Sequence, residues 1–159
     1  MDFTIRKATE NDSVSIKSLI NKLIIDQLGN DEYFNKDFSL VKPSKEMIIN
    51  RINNPFFYFY IAEKNDITIG FIEAFYQKKD FYFPYNDYIY ILHAYVENKY
   101  RCFQIANALV KCIEEVAIKC KVNYIGLDVF QHNNRIDKLL EYLGYSIYKR
   151  RFIKQLTKF

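Results

Sequence analysis

The chain has 159 residues, half of them hydrophobic and 18% aromatic, with a formal net charge of +4. That length suits one domain over residues 1–159 with a full core, and that composition excludes a disordered chain. No run of about 18 apolar residues suggests a membrane span, and the first dozen residues lack the basic-then-apolar profile of a signal peptide.

In chain order, residues 3–6 read as a short strand. Thr9 to Asp12 reads as a capping box, followed by Ile16, Leu19, Ile20, Leu23 and Ile24 at helical spacing. Gly29, Asn30 and Asp31 end that helix. Residues 30–43 read as a polar-aromatic loop. Ser44 caps a second short helix with Met47, Ile48 and Ile52 inward. Residues 56–64 and Ile67–Gln77 form a hairpin about Asn65-Asp66. A long aromatic connection over 78–86 leads to an apolar strand, Tyr88–Val96.

A polar turn, Glu97-Asn98-Lys99, then opens an amphipathic helix running to about residue 121. Its inward stripe is Ile105, Ala108, Leu109, Cys112, Ile113, Val116 and Ala117. Residues 123–130 are the next strand, parallel to Tyr88–Val96 because a helical crossover joins them. Residues 133–143 form a short helix ended by Gly144 in a left-handed cap. Residues 145–156 return as a final strand or hairpin. The abundance of Lys, Asn, Ile, Tyr and Phe tracks AT-rich codons and is discounted as a functional signal. The three cysteines, Cys102, Cys112 and Cys120, are an odd set without CxxC spacing, which implies reduced thiols and a cytoplasmic setting.

The chemistry concentrates at Tyr88 to Leu109. A strand feeding a helix aims unpaired N–H groups at one point, and the helix dipole adds partial positive charge there. The site suits a phosphate or pyrophosphate. Lys99 and Arg101 add charge at its rim.

This segment resembles the acyl-CoA-binding motif of the GNAT N-acetyltransferase superfamily. There an aliphatic strand end precedes Arg/Gln-x-x-Gly-x-Gly/Ala at the start of a long helix. Val96, Arg101, Ile105 and Ala106 match, Tyr100-Arg101 fits the usual entry, and Gln104 stands where the family usually has glycine. Asn133, Leu139, Gly144 and Tyr145 match the family's closing pattern. The resemblance implies an α/β fold with a mixed, largely antiparallel twisted sheet flanked by helices and splayed central strands. It implies acetyl-CoA as acyl donor, held by Tyr95, Val96, Arg101, Cys102, Phe103, Gln104, Ile105, Ala106 and Asn133.

Acetyl transfer to an amine needs a polarised thioester carbonyl, a neutral amine and a stabilised thiolate. His93, three residues before Val96, is the first candidate for general base, with a structural histidine as the competing reading. Glu73, on the adjacent strand, is the second. It could equally hold a cationic substrate or face solvent. The family's usual glutamate position is Leu92. Its frequent tyrosine acid, four residues before the glycine, is Leu140 here, and Tyr142 lies about 200° round the helix from it. His132 reads as a loop histidine. No carboxylate or cysteine sits at metal-ligand spacing with either histidine, so no metal is expected.

These readings favour transfer of an acetyl group to a primary amine, most simply of a small molecule. The competing reading is a non-catalytic acyl-CoA-binding or regulatory domain, which Gln104 and Leu140 support. A nucleic-acid-binding module rests only on Lys149-Arg150-Arg151 and the basic pI, and neither nucleic acid nor membrane is expected as a partner. The oligomeric state stays open, a homodimer included.

Overall fold

The structure is a computed structural model and describes residues 2–31, 37, 43–79 and 87–154. Its framework is a five-stranded sheet in the order β1-β2-β3-β4-β5. β1 (Thr4–Lys7), β2 (Phe57–Lys64), β3 (Ile67–Gln77) and β4 (Tyr88–Val96) pair antiparallel in sequence. β5 (Ile125–Leu127) joins β4 in parallel. The β2–β3 turn is Asn65 and Asp66, both at positive φ, 49° and 61°. Two left-handed residues match the twist of a tight hairpin, and Asn and Asp tolerate that region better than most.

Helices cover both faces. On one face lie α1 (Ser13–Asn30) and α2 (Lys45–Ile52). Their Ile16, Leu19, Ile20, Ile24 and Ile48 pack on Phe59, Ile61, Phe71 and Tyr95 of the sheet. On the other lies α3 (Phe103–Lys119), whose Ile105, Leu109, Ile113 and Val116 pack on Ile69, Ile72, Ala74, Ile89 and Ile91. Each Ile, Leu, Val or Phe side chain among these, fully buried, contributes about 1.5–3 kcal/mol. α4 (Asn134–Tyr142) follows β5.

Polar contacts fix the edges of these layers. The Arg6 guanidinium meets Asp12 through two bonds of 2.8 and 2.9 Å and Glu63 through bonds of 3.0 and 3.2 Å. This ties β1 both to the start of α1 and to β2. Asp12 also accepts from the Thr9 amide at 2.7 Å, the acidic half of the expected capping box. Ser44 Oγ accepts from the Met47 amide at 3.1 Å, as expected of an N-cap.

Several expectations are corrected. β1 begins at Thr4 rather than at residue 3. Met47 points outward and is 41% exposed. In an eight-residue helix the inward line is taken by Ile48, Arg51 and Ile52, at i, i+3 and i+4. In α3, Val110 is buried, while Ala108 and Cys112 sit half-buried on the flank. The final strand is absent among residues 145–154. There the apolar residues come as adjacent pairs, Ile147-Tyr148 and Phe152-Ile153, which a strand would send to opposite faces. All four are exposed. Gly144 is the expected left-handed cap, with φ +83°.

β5 is also shorter than expected. Only Ile125–Leu127 pair with β4, opposite Ile89–Ile91. The loops expected over 30–43 and 78–86 fall mostly outside the described residues.

Candidate active site

The site begins with one extra residue in β4. Glu73 pairs with His93, but the next residue, Ala74, pairs with Ile91. Leu92 is therefore a bulge. Strict alternation would keep His93 on the face of Ile89 and Ile91, against α3. The bulge reverses the faces, so that Tyr95 packs with α1 instead. His93 turns to that same side. The parallel ladder to β5 stops at this bulge, at the Ile91–Leu127 pair. From Leu92 onward β4 has no β5 partner among the described residues, which is the divergence of central strands that the sequence led us to expect.

The reversal brings His93 onto Glu73. His93 Nδ1 lies 2.7 Å from Glu73 Oε2, and Arg51 Nη1 of α2 lies 2.9 Å from Glu73 Oε1. Glu73 is 0% exposed, so it does not face solvent. Burying a carboxylate is tolerated when it is paired and hydrogen-bonded, and both oxygens are. The Glu73 oxygens meet Arg51 and His93 rather than solvent. An ionised carboxylate only accepts, which makes Nδ1 the donor in this contact; when the imidazole is neutral, Nε2 is then its acceptor. The His93 side chain keeps 28% of its surface exposed.

The second half of the site is the start of α3. A 3-10 turn, Asn98–Tyr100, leads to Cys102, an N-cap in extended geometry whose side chain makes no capping bond. Ala106 N–H donates to the Cys102 carbonyl at 3.4 Å. The N–H groups of Phe103, Gln104 and Ile105 precede any helical acceptor and are open to an anion. Gln104 is exposed within the helix, Ile105 is buried and Ala106 half-buried. Gly70 faces Val96 across the sheet, and a Cβ at Gly70 would sit 3.0 Å from the Tyr95 carbonyl. A side chain at Gly70 would require this end of β4 to give by a few tenths of an ångström.

Arg101 does not stand free at the rim. Its Nη2 lies 2.6 Å from Asp26 Oδ2, its Nε donates to the Val96 carbonyl at 2.9 Å, and its guanidinium lies 5.1 Å from the Tyr95 ring centre. The residue thus links α1, the end of β4 and the start of α3. Nearby, Lys22 of α1 pairs with Glu97. Phe103 meets Tyr142 edge to face, with centroids 4.8 Å apart, so the last turn of α4 lies against the first turn of α3. Tyr142 is 73% exposed. Asn133 is the N-cap of α4, at the opposite end of that helix from Tyr142, and its side chain makes no capping bond. His132 is exposed and stacks on Phe130.

Two residues of the site escaped the sequence reading, Arg51 and Asp26. Arg51 carried a usable signal, since it shares a helix face with Ile48 three residues earlier. Asp26 carried none, because its partner is 75 residues away.

Residues 26–145 match the model of the acetyltransferase (GNAT) family. No curated protein matches the chain. Solved structures match it across nearly its full length. The aminoglycoside acetyltransferase AAC(6')-Iy, in complex with a bisubstrate analogue of CoA, has 14% identity and a TM-score of 0.73, covering 99% of this chain and 100% of that one. A predicted acetyltransferase with acetyl-CoA from Clostridium acetobutylicum has 18% identity and a TM-score of 0.71, covering 97% and 96%. The tetramutant of the BH1408 protein from Bacillus halodurans has 16% identity and a TM-score of 0.82, covering 96% and 99%. At these identities the likeness is one of fold.

Proposed function

The chain belongs to the GNAT acetyltransferase family, and from that premise we propose that it is a single domain transferring an acetyl group from acetyl-CoA to a primary amine of a small molecule. The observation that carries the reading is the meeting of two features at the bulged end of β4. One is an anion-binding helix start, and the other is a histidine whose Nδ1 is held by a buried carboxylate.

The residues present fit acetyl-CoA as the donor substrate. The N–H groups of Phe103, Gln104 and Ile105 receive the pyrophosphate, with Arg101 beside them. The unpaired edge of β4 beyond Ile91 offers backbone groups to the pantetheine arm, in the manner of strand addition. The amide of Tyr95 or Val96 polarises the thioester carbonyl.

His93 Nε2 takes the proton that the amine must lose, directly or through water, while Glu73 holds Nδ1. The new N–C bond forms as the C–S bond breaks, and the thiolate leaves. Leu140 cannot donate to it, so the thiolate takes its proton from water or from another residue.

The test is product formation from acetyl-CoA with a panel of primary amines, alongside titration of the cofactor. Binding of acetyl-CoA at or below about 1 mM, equivalent to about 4 kcal/mol, with turnover of at least one amine, is the expected result. Binding without turnover of any amine would favour a regulatory acyl-CoA-binding domain. No binding at that concentration would overturn both readings.

A further inference from the structure

One register step along the sheet from Glu73 and His93, on the same face, three aromatic rings form a row. Phe57, Phe75 and Tyr90 are mutual partners across β2, β3 and β4. The Phe57 and Phe75 rings stack at 5.5 Å and 28°, and the Phe75 and Tyr90 rings meet at 5.5 Å and 54°. All three are only half-buried. The guanidinium of Arg51 lies 5.7 Å from the Phe57 ring centre, at one end of the row. At the other end burial, with Asp128 beside it, holds the Tyr90 hydroxyl in its neutral form, with its pKa pushed up to about 12. Codon bias explains many aromatics in this chain. It does not explain three in register beside a histidine.

The charges on this face narrow what the row can hold. Glu73 is the one buried carboxylate on it among the described residues, and both its oxygens are taken. Arg51 adds a positive charge. Among the described residues the other carboxylate at the row is Asp128, which lies beside the Tyr90 hydroxyl, so a polycation meets one acid at that end and the Arg51 charge at the other. A single ammonium has a place near His93, over π faces that attract cations. Two residues along a strand span about 7 Å, so a flat apolar body joined to the amine by a short linker would reach the rings.

We propose that the Phe57–Phe75–Tyr90 row is the floor of the acceptor subsite and selects arylalkylamines over polyamines and aminoglycoside-like polycations. The proposal rests on the acetyl-transfer reading above and names its substrate class.

The experiment measures binding of 2-phenylethylamine, n-hexylamine and spermidine to the full chain saturated with CoA, and kcat/KM for each with acetyl-CoA. Phenylethylamine should bind at least 10-fold more tightly than either of the others. Phe75→Leu and Tyr90→Leu keep bulk but remove a ring, and two variants are used because each ring also packs on the sheet. Each should bring the phenylethylamine to hexylamine ratio within about twofold and leave CoA affinity unchanged. Equal or tighter binding of spermidine or hexylamine by the natural chain, or an unchanged ratio in both variants, overturns the proposal. The binding preference is read without turnover. Absence of turnover therefore counts against acetyl transfer, and absence of the preference counts against the aromatic floor.

Discussion

His93 and Glu73 face each other across β4 and β3 with Nδ1 and Oε2 2.7 Å apart, and Leu92, the bulged residue, is what puts them there. On the proposed role of His93 as base, the pair yields a kinetic prediction. His93→Ala should lower kcat about 10²-fold or more, the lower end for general-base assistance, with CoA affinity unchanged.

Glu73→Gln should lower kcat less, with KM nearly unchanged, because Nε2 remains but its orientation and tautomer are no longer enforced. Ring 15N shifts distinguish this from general loosening. They should report a proton on Nδ1 in the natural chain and a tautomer mixture in Glu73→Gln. Full activity of His93→Ala between about pH 6 and 9 would remove His93 from the mechanism.

The Arg6–Asp12 contact predicts how stability varies with pH. Hydrogen bonds from Arg6 hold the Asp12 carboxyl at about 2, below its ordinary 3.8. A group whose folded pKa is depressed stabilises above its unfolded pKa, and that stability is lost as pH falls toward the folded one. The loss therefore runs from about pH 4 down to about pH 2 and amounts to about 1–2 kcal/mol. Asp12 is 7% exposed but the Arg6 side chain is 40% exposed, so solvent screening keeps the figure below the full value of the shift. Urea unfolding at intervals from pH 6 to 2 should show this decline in the natural chain. Asp12→Asn should start less stable at neutral pH and decline by about 1–2 kcal/mol less. Parallel declines would show that Asp12 titrates normally.

The contrast between β4 and its surroundings shows what sequence could and could not reveal. The limits of β3 and β4, and the Asn65-Asp66 turn, were legible because apolar runs and turn residues act locally. The helix start at Arg101 to Ala106 was legible for the same reason. The facing of His93 was not. It depends on a bulge, and a bulge is decided by pairing with β3 rather than by any residue of β4 alone. Sequence presents His93 and Glu73 as rival bases, whereas they form one hydrogen-bonded unit. Asp26 meets a partner 75 residues away, so spacing could not announce it, whereas the place of Arg51 on the Ile48 face of α2 was legible but its partner was not. The final strand is implied by the family's closing pattern, but the adjacent apolar pairs Ile147-Tyr148 and Phe152-Ile153 do not alternate, and residues 145–154 form no strand.

Arg101 gives the remaining prediction, because its place in the sequence and its contacts suggest different roles. By position it belongs at the rim of an anion site, yet Asp26 offsets its charge, Val96 holds its Nε, and Tyr95 lies beneath it. Both roles are served if Arg101 braces the cradle and still adds to its positive potential. An exposed ion pair of this kind is worth about 0–1 kcal/mol, so Asp26 only partly cancels that potential. Asp26→Asn should then strengthen CoA binding by up to about fivefold, since it removes a negative charge and leaves the Val96 contact in place. Arg101→Glu should weaken it by about tenfold or more, because it reverses the charge and breaks the brace. Lys154→Glu, beyond α4 and exposed, should change affinity little. Titrations at low salt and at about 0.5 M salt test the origin of these effects, because screening should shrink the Asp26→Asn gain. Weaker binding by Asp26→Asn would mean that the ion pair shapes the cradle and that its charge is secondary. Unchanged binding by Arg101→Glu at low salt would place the pyrophosphate away from Arg101 altogether.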